Sequence, residues 1–397
     1  MSYKYSILIP TYNRRHLLEK TILSVTNQSY ENFELIISDS GSEDNTWDFI
    51  SNLNHPKIKV FKPKKTLTEV ENFEFILEKA SGEWISIIGD DDGLAPNFFE
   101  SVDEVINKFP DVSAISAKAG YYYHENVEDL YGNRVVAYNY ISNKIKKKNS
   151  KLNLFLCILG LKNKNDVPAL YTTGIIKRSL IENIKKKSDN KFFHSIIEDY
   201  YSIVAILFET NFFVRIEKPI FWIGSSSSSS GKGLVIYENN KTVDKYLHIS
   251  KMVSEKLHKV GISSIYFLEA IYKHPYISNF WKSDLIHKIA LVFAFIDIKK
   301  RKDTNRIKIK MSIAEILGLI LSEIKKLEIS KINFYSNIYL LKTFFVFKSV
   351  FEYLIKINYF LRKKINKKCI VINSTDRKKY SDIPTCNIII SKIIKNN

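Results

Sequence analysis

ISIIGDDDGLAP, residues Ile85–Pro96, is the stretch on which the reading of the fold turns. An apolar run reaches Gly89 and then sets Asp90, Asp91 and Asp92 side by side. Adjacent carboxylates repel one another. Either a positive partner stands opposite them, or they form an acidic turn that caps the helix beginning near Pro96.

Working outward, the same rhythm repeats. YSILIP (Tyr5–Pro10), FELIISD (Phe33–Asp39), KIKVFK (Lys57–Lys62) and EWISIIG (Glu83–Gly89) have the signature of short strands. RRHLLEKTILSVTNQ (Arg14–Gln28) places Leu17, Leu18, Ile22 and Val25 on one helical face. GSEDNTWDFISNL (Gly41–Leu53) opens with capping residues, and LTEVENFEFILEKA (Leu67–Ala80) has helical spacing. APNFFESVDEVINKF follows the aspartates as a helix with Pro96 in its first turn, and DVSAISAK (Asp111–Lys118) reads as a fifth strand. Strands alternating with helices predict an α/β fold with a mostly parallel, Rossmann-like sheet. In such sheets ligands bind at the carboxyl ends of the strands. Thr11, Asn13 and Arg14 fall at one such end, Asp39, Ser40 and Ser42 at a second, and Asp90–Asp92 at a third.

SILIPTYNR, FELIISDSGSEDNT and ASGEWISIIGDDDGLAP resemble, in order and spacing, the N-terminal domain of family 2 glycosyltransferases. The likeness is close over residues 4–110, looser to about residue 225, and nearest to the bacterial enzymes of surface-polysaccharide synthesis. It implies a GT-A nucleotide-sugar fold and a divalent cation, manganese or magnesium, that neutralises the leaving diphosphate. On the matching positions Asp91 is the expected metal ligand, with Asp92 ligating through water or orienting the site, and Asp90 is expected to contact the ribose or to act through water. Gly89 stands where many members carry the first aspartate of this motif. Asp39 is expected to bind the nucleotide base, flanked by Pro10, Thr11, Asn13 and Arg14, with Asn72 nearby. The alternative for Asp39 is a helix cap, and for Asn72 an ordinary helix-surface residue.

Further along, FFHSIIEDYYSIVAILF (Phe192–Phe208) resembles the acidic pair that carries the catalytic base in this family. Asp199 is the expected base and Glu198 its companion; the alternative is an acidic first turn that suits the helix dipole. Thr173 and Gly174, in ALYTTGIIKRSLI, are the candidates for the acceptor side. Six consecutive serines, Ser225–Ser230, read as a linker, or as a loop closing over the donor with Lys232.

The net charge of +18 is unevenly spread: −9 over residues 1–140, +8 over 141–220 and +19 over 221–397. With 45% hydrophobic and 13% aromatic residues the chain has the material for packed cores. Two domains are expected, a catalytic one at 1–225 and a basic, mainly helical one at 226–397. Helices are expected at 242–260, 263–274, 284–300, 312–327 and 337–364, none with an apolar run long enough to span a bilayer. The last has the pattern of an interfacial helix drawn to anionic lipid, or of a packing helix with a solvated basic face. The three scattered cysteines, Cys157, Cys369 and Cys386, give no disulfide framework.

Taken with the resemblance, these features imply an inverting, metal-dependent transferase. It would carry a sugar from a nucleotide-sugar donor, UDP-linked by expectation, to a glycan or an undecaprenyl-diphosphate-linked acceptor. Its place would be cytoplasmic, peripheral on the inner membrane face, with the apolar helices offering a homodimer surface. Two other classes stand beside it: nucleic-acid binding through the basic half, which lacks a recognised module, and metal-dependent nucleotidyl or phosphoryl transfer, which lacks a P-loop.

Overall fold

Apolar residues with β-branched side chains form the centre of the structure. In the computed structural model, residues 3–124, 134–138, 142–195, 197–226, 263–303, 312–326 and 370–373 are described. β1 (Tyr5–Thr11), β2 (Phe33–Asp39), β3 (Ile58–Phe61) and β4 (Trp84–Ile87) pair in parallel in the order β3-β2-β1-β4. β1, β2 and β4 are buried almost throughout, as expected of strands covered on both faces. The intervening helices are α1 (Arg15–Thr26), α2 (Thr46–Ser51) and α3 (Glu69–Leu77). α3 starts at a capping box in which Thr68 and Glu71 satisfy each other's backbone N–H groups. α1 has no side-chain cap of its own; Asp44, from the next loop, accepts from Arg15 N at 3.0 Å instead.

After β4 the chain makes the two-residue strand β5 (Gly93–Leu94), α4 (Phe98–Lys108) and β6 (Ala114–Tyr123). Phe99 of α4 stacks on Phe33 at a centroid distance of 4.8 Å, fixing the helix to the sheet. β7 (Arg134–Tyr138), β8 (Ile145–Asn149), α5 (Ser150–Ile158), β9 (Gly174–Lys177), α6 (Arg178–Lys186), α7 (Glu198–Glu209) and β10 (Phe212–Ser225) follow. β9 inserts antiparallel between β4 and β6, and β10 lies parallel to β6. β1–β4, β6, β10 and β11 (Ile370–Asn373) run one way, while β5, β7, β8 and β9 run the other. The sheet is thus mostly parallel in direction, with a mixed half.

The fifth strand begins later and runs longer than its sequence suggests, because its second half pairs with β10. β10 carries Pro219 at an irregularity in its register, where the missing N–H is tolerated.

The described chain divides into two compact units. One holds residues up to Lys151, the segment from Asn165 to the end of β10, and β11; the other holds Leu152–Lys164 and three helices. Leu152–Lys164, expected in the first domain, belongs to the second unit. Its helices are α8 (Ser263–Lys273), α9 (Asp284–Asp303) and α10 (Ile313–Lys326), which match three of the expected segments. Phe267, Ile271, Leu291 and Phe293 are among their buried residues, and the Tyr272 hydroxyl meets His287 Nδ1 at 3.1 Å. The expected helices at 242–260 and 337–364, and the serine run beyond Ser226, lie outside the described residues. Among the described residues no helix is long and apolar enough to cross a membrane.

Candidate active site

The carboxyl end of β4 opens into a tight turn in which Asp92 N donates to Gly89 O at 3.1 Å. The Asp92 carboxylate folds back onto backbone. Its Oδ2 accepts from Gly89 N and its Oδ1 from Gly224 N, both at 2.8 Å. Gly224 is the last residue but one of β10, and β10 grips the other side of the turn by pairing Trp222 with Gly93 and Phe221 with Leu94. From α1, the Thr21 hydroxyl lies 2.8 Å from the Asp90 carbonyl and 2.7 Å from that of Asp92. The three aspartates are therefore held on backbone from three elements, each no more than 5% exposed.

Their side chains face the end of β1. Asp90 accepts from Thr11 Oγ1 and from Arg14, each at 2.8 Å. Arg14 also reaches Asp91 Oδ2 at 3.3 Å, and Ser226 donates to the same oxygen at 3.1 Å. His124 Nε2 is 3.0 Å from the Asp91 carbonyl and donates to it in the tautomer protonated there. Burial pushes the Asp90 carboxyl up to about 6, against the pull of Arg14 and with a further push from Asp91. Burial and then Asp91 push Asp92 up to about 7, against the two backbone N–H groups. Burial alone would lower Arg14, but Asp90 and Asp91 more than reverse it and hold its pKa above the usual value. Arg14 pairs with Asp90 and Asp91 while Asp92 rests on two backbone N–H groups, and a cation at the turn would relieve the repulsion among the three carboxylates.

Asp39 ends β2, beside β1 in the sheet. Its Oδ1 accepts from the Ser42 N–H at 3.0 Å and from the Ser42 hydroxyl at 2.5 Å. Its Oδ2 is buried with no hydrogen-bond partner among the described residues. A buried acceptor left over at a strand's carboxyl end calls for a donor from a ligand. Asn13, at φ +54°, ties this loop to the first: its N–H donates to Ser42 Oγ at 2.8 Å and its Oδ1 accepts from Glu43 N at 2.7 Å. Pro10 lies in β1 opposite Ser38. Asn72 is buried, accepting from Ser38 Oγ at 2.6 Å and donating to Ser38 O at 3.3 Å, so it fastens α3 to the end of β2.

The segment before β9 docks on β4. Ile87 N donates to Leu170 O at 3.0 Å and Thr172 N to Ile87 O at 2.7 Å. Thr172 Oγ1 lies 3.4 Å from Asp92 Oδ2, while Thr173 O accepts from Ala117 N at 3.0 Å. A Cβ on Gly174 would collide with the Ala169 carbonyl, so only glycine lets the segment close on itself. Glu198 and Asp199 form the first turn of α7, Glu198 buried and Asp199 half-buried. Asp199 Oδ1 accepts from Tyr200 N at 2.7 Å. One turn on, Ser202 Oγ accepts from Leu170 N at 3.2 Å and so links α7 to the same segment.

The structure thus gathers Thr11, Arg14, Asp90 and Asp91 into direct contact, with Asp92 in the same turn, Asn13 in the same loop as Arg14, and Asp39 at the end of β2, beside β1 and two strands from β4. Thr21, His124 and Tyr171, whose hydroxyl lies 2.9 Å from a Cβ built on Gly89, belong to the site but are missed in the sequence reading, whereas Ser226 belongs to the serine run read there as a linker or a loop over the donor. Thr21 sits in the apolar face of α1 between Leu18 and Ile22, the one visible hint; the others come from strands and turns that carry no local signal. Among the described residues no three His, Cys, Asp or Glu side chains form a ready metal cage.

Residues 6–162 match the sequence model of Glycosyl transferase family 2. Those residues are a family 2 glycosyltransferase domain. A GalNAc(5)-diNAcBac-PP-undecaprenol beta-1,3-glucosyltransferase of Campylobacter jejuni is 34% identical over 108 residues, covering 26% of this chain and 35% of that one. The chain thus matches about a third of that relative's length. The Escherichia coli UDP-Glc:alpha-D-GlcNAc-diphosphoundecaprenol beta-1,3-glucosyltransferase WfgD is 27% identical over 209 residues, 53% of this chain and 72% of WfgD. Among solved structures, S. aureus TarS 1–349 in complex with UDP-GlcNAc aligns over 82% of this chain and 90% of its own, at 15% identity and a TM-score of 0.46.

Proposed function

We propose that the chain is a metal-dependent, inverting glycosyltransferase that takes a UDP-linked sugar and extends an undecaprenyl-diphosphate-linked glycan for a surface polysaccharide. The observation that carries it is the buried Asp90–Asp92 and Arg14 cluster at the carboxyl end of β4, two strands from the unpartnered Asp39 oxygen on β2. The family match favours this reading over nucleotidyl transfer or nucleic-acid binding.

The residues fit a hard divalent cation, manganese or magnesium: such ions need only one or two carboxylates when a diphosphate supplies the rest. Asp91 would hold it, with Asp92, anchored on two backbone N–H groups, orienting the turn. When bound, the ion neutralises charge building on the leaving diphosphate. Arg14 supplies part of the same neutralisation from a position fixed by Asp90. Asp39 Oδ2 accepts from the N–H of the base. Asp199, helped by Glu198, takes the proton of the acceptor hydroxyl as its oxygen bonds to the anomeric carbon and the bond from that carbon to phosphate breaks. Thr173 and Gly174 line the acceptor side. The enzyme would act at the cytoplasmic membrane face, the basic second half meeting anionic lipid and a homodimer burying its apolar helices.

The test is transfer of labelled sugar from UDP-sugars to a lipid-diphosphate acceptor, with manganese and with chelator. Product that requires the ion and is lost in Asp91→Asn supports the proposal; transfer indifferent to both overturns it.

A further inference from the structure

The strands order the site in one direction. Asp39 closes β2, Thr11 and Arg14 follow β1, Asp90–Asp92 follow β4, and next comes β9, led in by Tyr171. The base end of a nucleotide sugar on Asp39 and its diphosphate on the aspartates leave the sugar on the β9 side. Tyr171 stands there. Its ring meets Phe73 edge-on at 5.1 Å. A Cβ placed on Gly89 would fall 2.9 Å from the Tyr171 hydroxyl and 3.1 Å from Asp91 Oδ1, so the phenol oxygen hangs over the glycine at the rim of the carboxylates. That hydroxyl makes no hydrogen bond among the described residues. The backbone beneath it is held hard: Thr172, a β-branched residue, is kept at φ +75° by its N–H on Ile87.

We propose that Tyr171 reads the transferred sugar, its hydroxyl donating to a sugar hydroxyl oxygen of the bound donor. The inference rests on the glycosyl-transfer reading. At neutral pH a phenol keeps its proton and presents a donor. A sugar hydroxyl placed against it accepts that hydrogen bond and turns its own proton to the neighbouring carboxylates. Because the Tyr171 backbone cannot yield, a sugar lacking a hydroxyl at that point leaves the phenol unpaired, which is how such sites discriminate.

Tyr171→Phe removes only the oxygen and keeps the ring on Phe73. Calorimetry on the full chain with manganese compares UDP with UDP-glucose, UDP-galactose and UDP-N-acetylglucosamine, using the tightest of the three for the wild type. The expected result is UDP affinity within twofold of wild type and sugar-nucleotide affinity about tenfold weaker. If Tyr171→Phe proves unstable, Tyr171→Met, which keeps apolar bulk against Phe73 and also lacks the oxygen, should reproduce the sugar-selective loss. Unchanged sugar-nucleotide affinity overturns the inference. An equal loss for UDP also overturns it, since the hydroxyl would then meet the diphosphate. A wild type that binds none of these nucleotides overturns the glycosyl-transfer reading itself.

Discussion

Gly224→Ala is expected to unfasten the aspartate turn. A Cβ on Gly224 would lie deep inside the Asp91 carbonyl and 3.2 Å from Asp91 Cβ, and the obstacle is backbone, which cannot rotate away. To reach normal carbon contact the end of β10 must withdraw by roughly 1.5 Å. The Gly224 N–H would then leave Asp92 Oδ1, now at 2.8 Å. Losing a hydrogen bond to a buried charged acceptor costs about 1.5–3 kcal/mol, and overpacking adds about 1–3 kcal/mol. The sum is about 2.5–6 kcal/mol, or a fall in Tm of roughly 5–20 °C. Gly318→Ala provides the contrast: that glycine lies in α10 with nothing near its missing Cβ, so the same substitution should gain about 0.5–1 kcal/mol. Thermal unfolding by circular dichroism reads both. A Gly224→Ala variant melting within 2 °C (about 1 kcal/mol) of wild type would refute the reasoning.

Four further outcomes are expected. Raising the pH from about 5 to 8 should lower the Tm of metal-free protein. Asp90 and Asp92 hold protons in the fold up to about 6 and 7, whereas unfolded aspartates lose theirs near ~3.9. The stability they lend below that lower value is therefore lost as pH rises through the upper two. His124, lowered by burial, works the opposite way in the same window, and manganese at the upper pH should restore the Tm if Asp91 holds it. Asp199→Asn should cut kcat about 10²–10⁴-fold with UDP affinity unchanged, measured by steady-state transfer and calorimetry. Arg14→Met should weaken UDP more than uridine in the same titration, because only the diphosphate meets its charge. Asn72→Ala should cost about 1–3 kcal/mol in urea unfolding, since it strands the buried Ser38 hydroxyl and carbonyl.

The parallel half of the sheet was legible because each of its strands is a short apolar run ending at a turn-former, and Asp39 and Asp90–Asp92 follow directly from that rhythm. The antiparallel half was not. β8 is IKKKN, whose pairing with β10 rests on backbone hydrogen bonds and leaves its lysines no apolar pattern. β9 spans four residues, too few to show a period. β10 does alternate, Phe213 and Arg215 pointing opposite to Val214 and Ile216, but Pro219 interrupts it. Because the segment leading into β9 and the end of β10 supply Tyr171 and Gly224 to the site, most of the fastening of the aspartates escaped the sequence while the aspartates themselves did not. Asn72 shows the converse: its residue type suits a ligand, and in the fold it bonds Ser38 on both sides.

The central claim is tested most directly by titrating UDP into wild type and Asp91→Asn, each with and without manganese. The expected result is binding that requires the ion and disappears in the variant while the Tm stays in place. Equal binding by wild type and variant, or binding untouched by chelator, would contradict it.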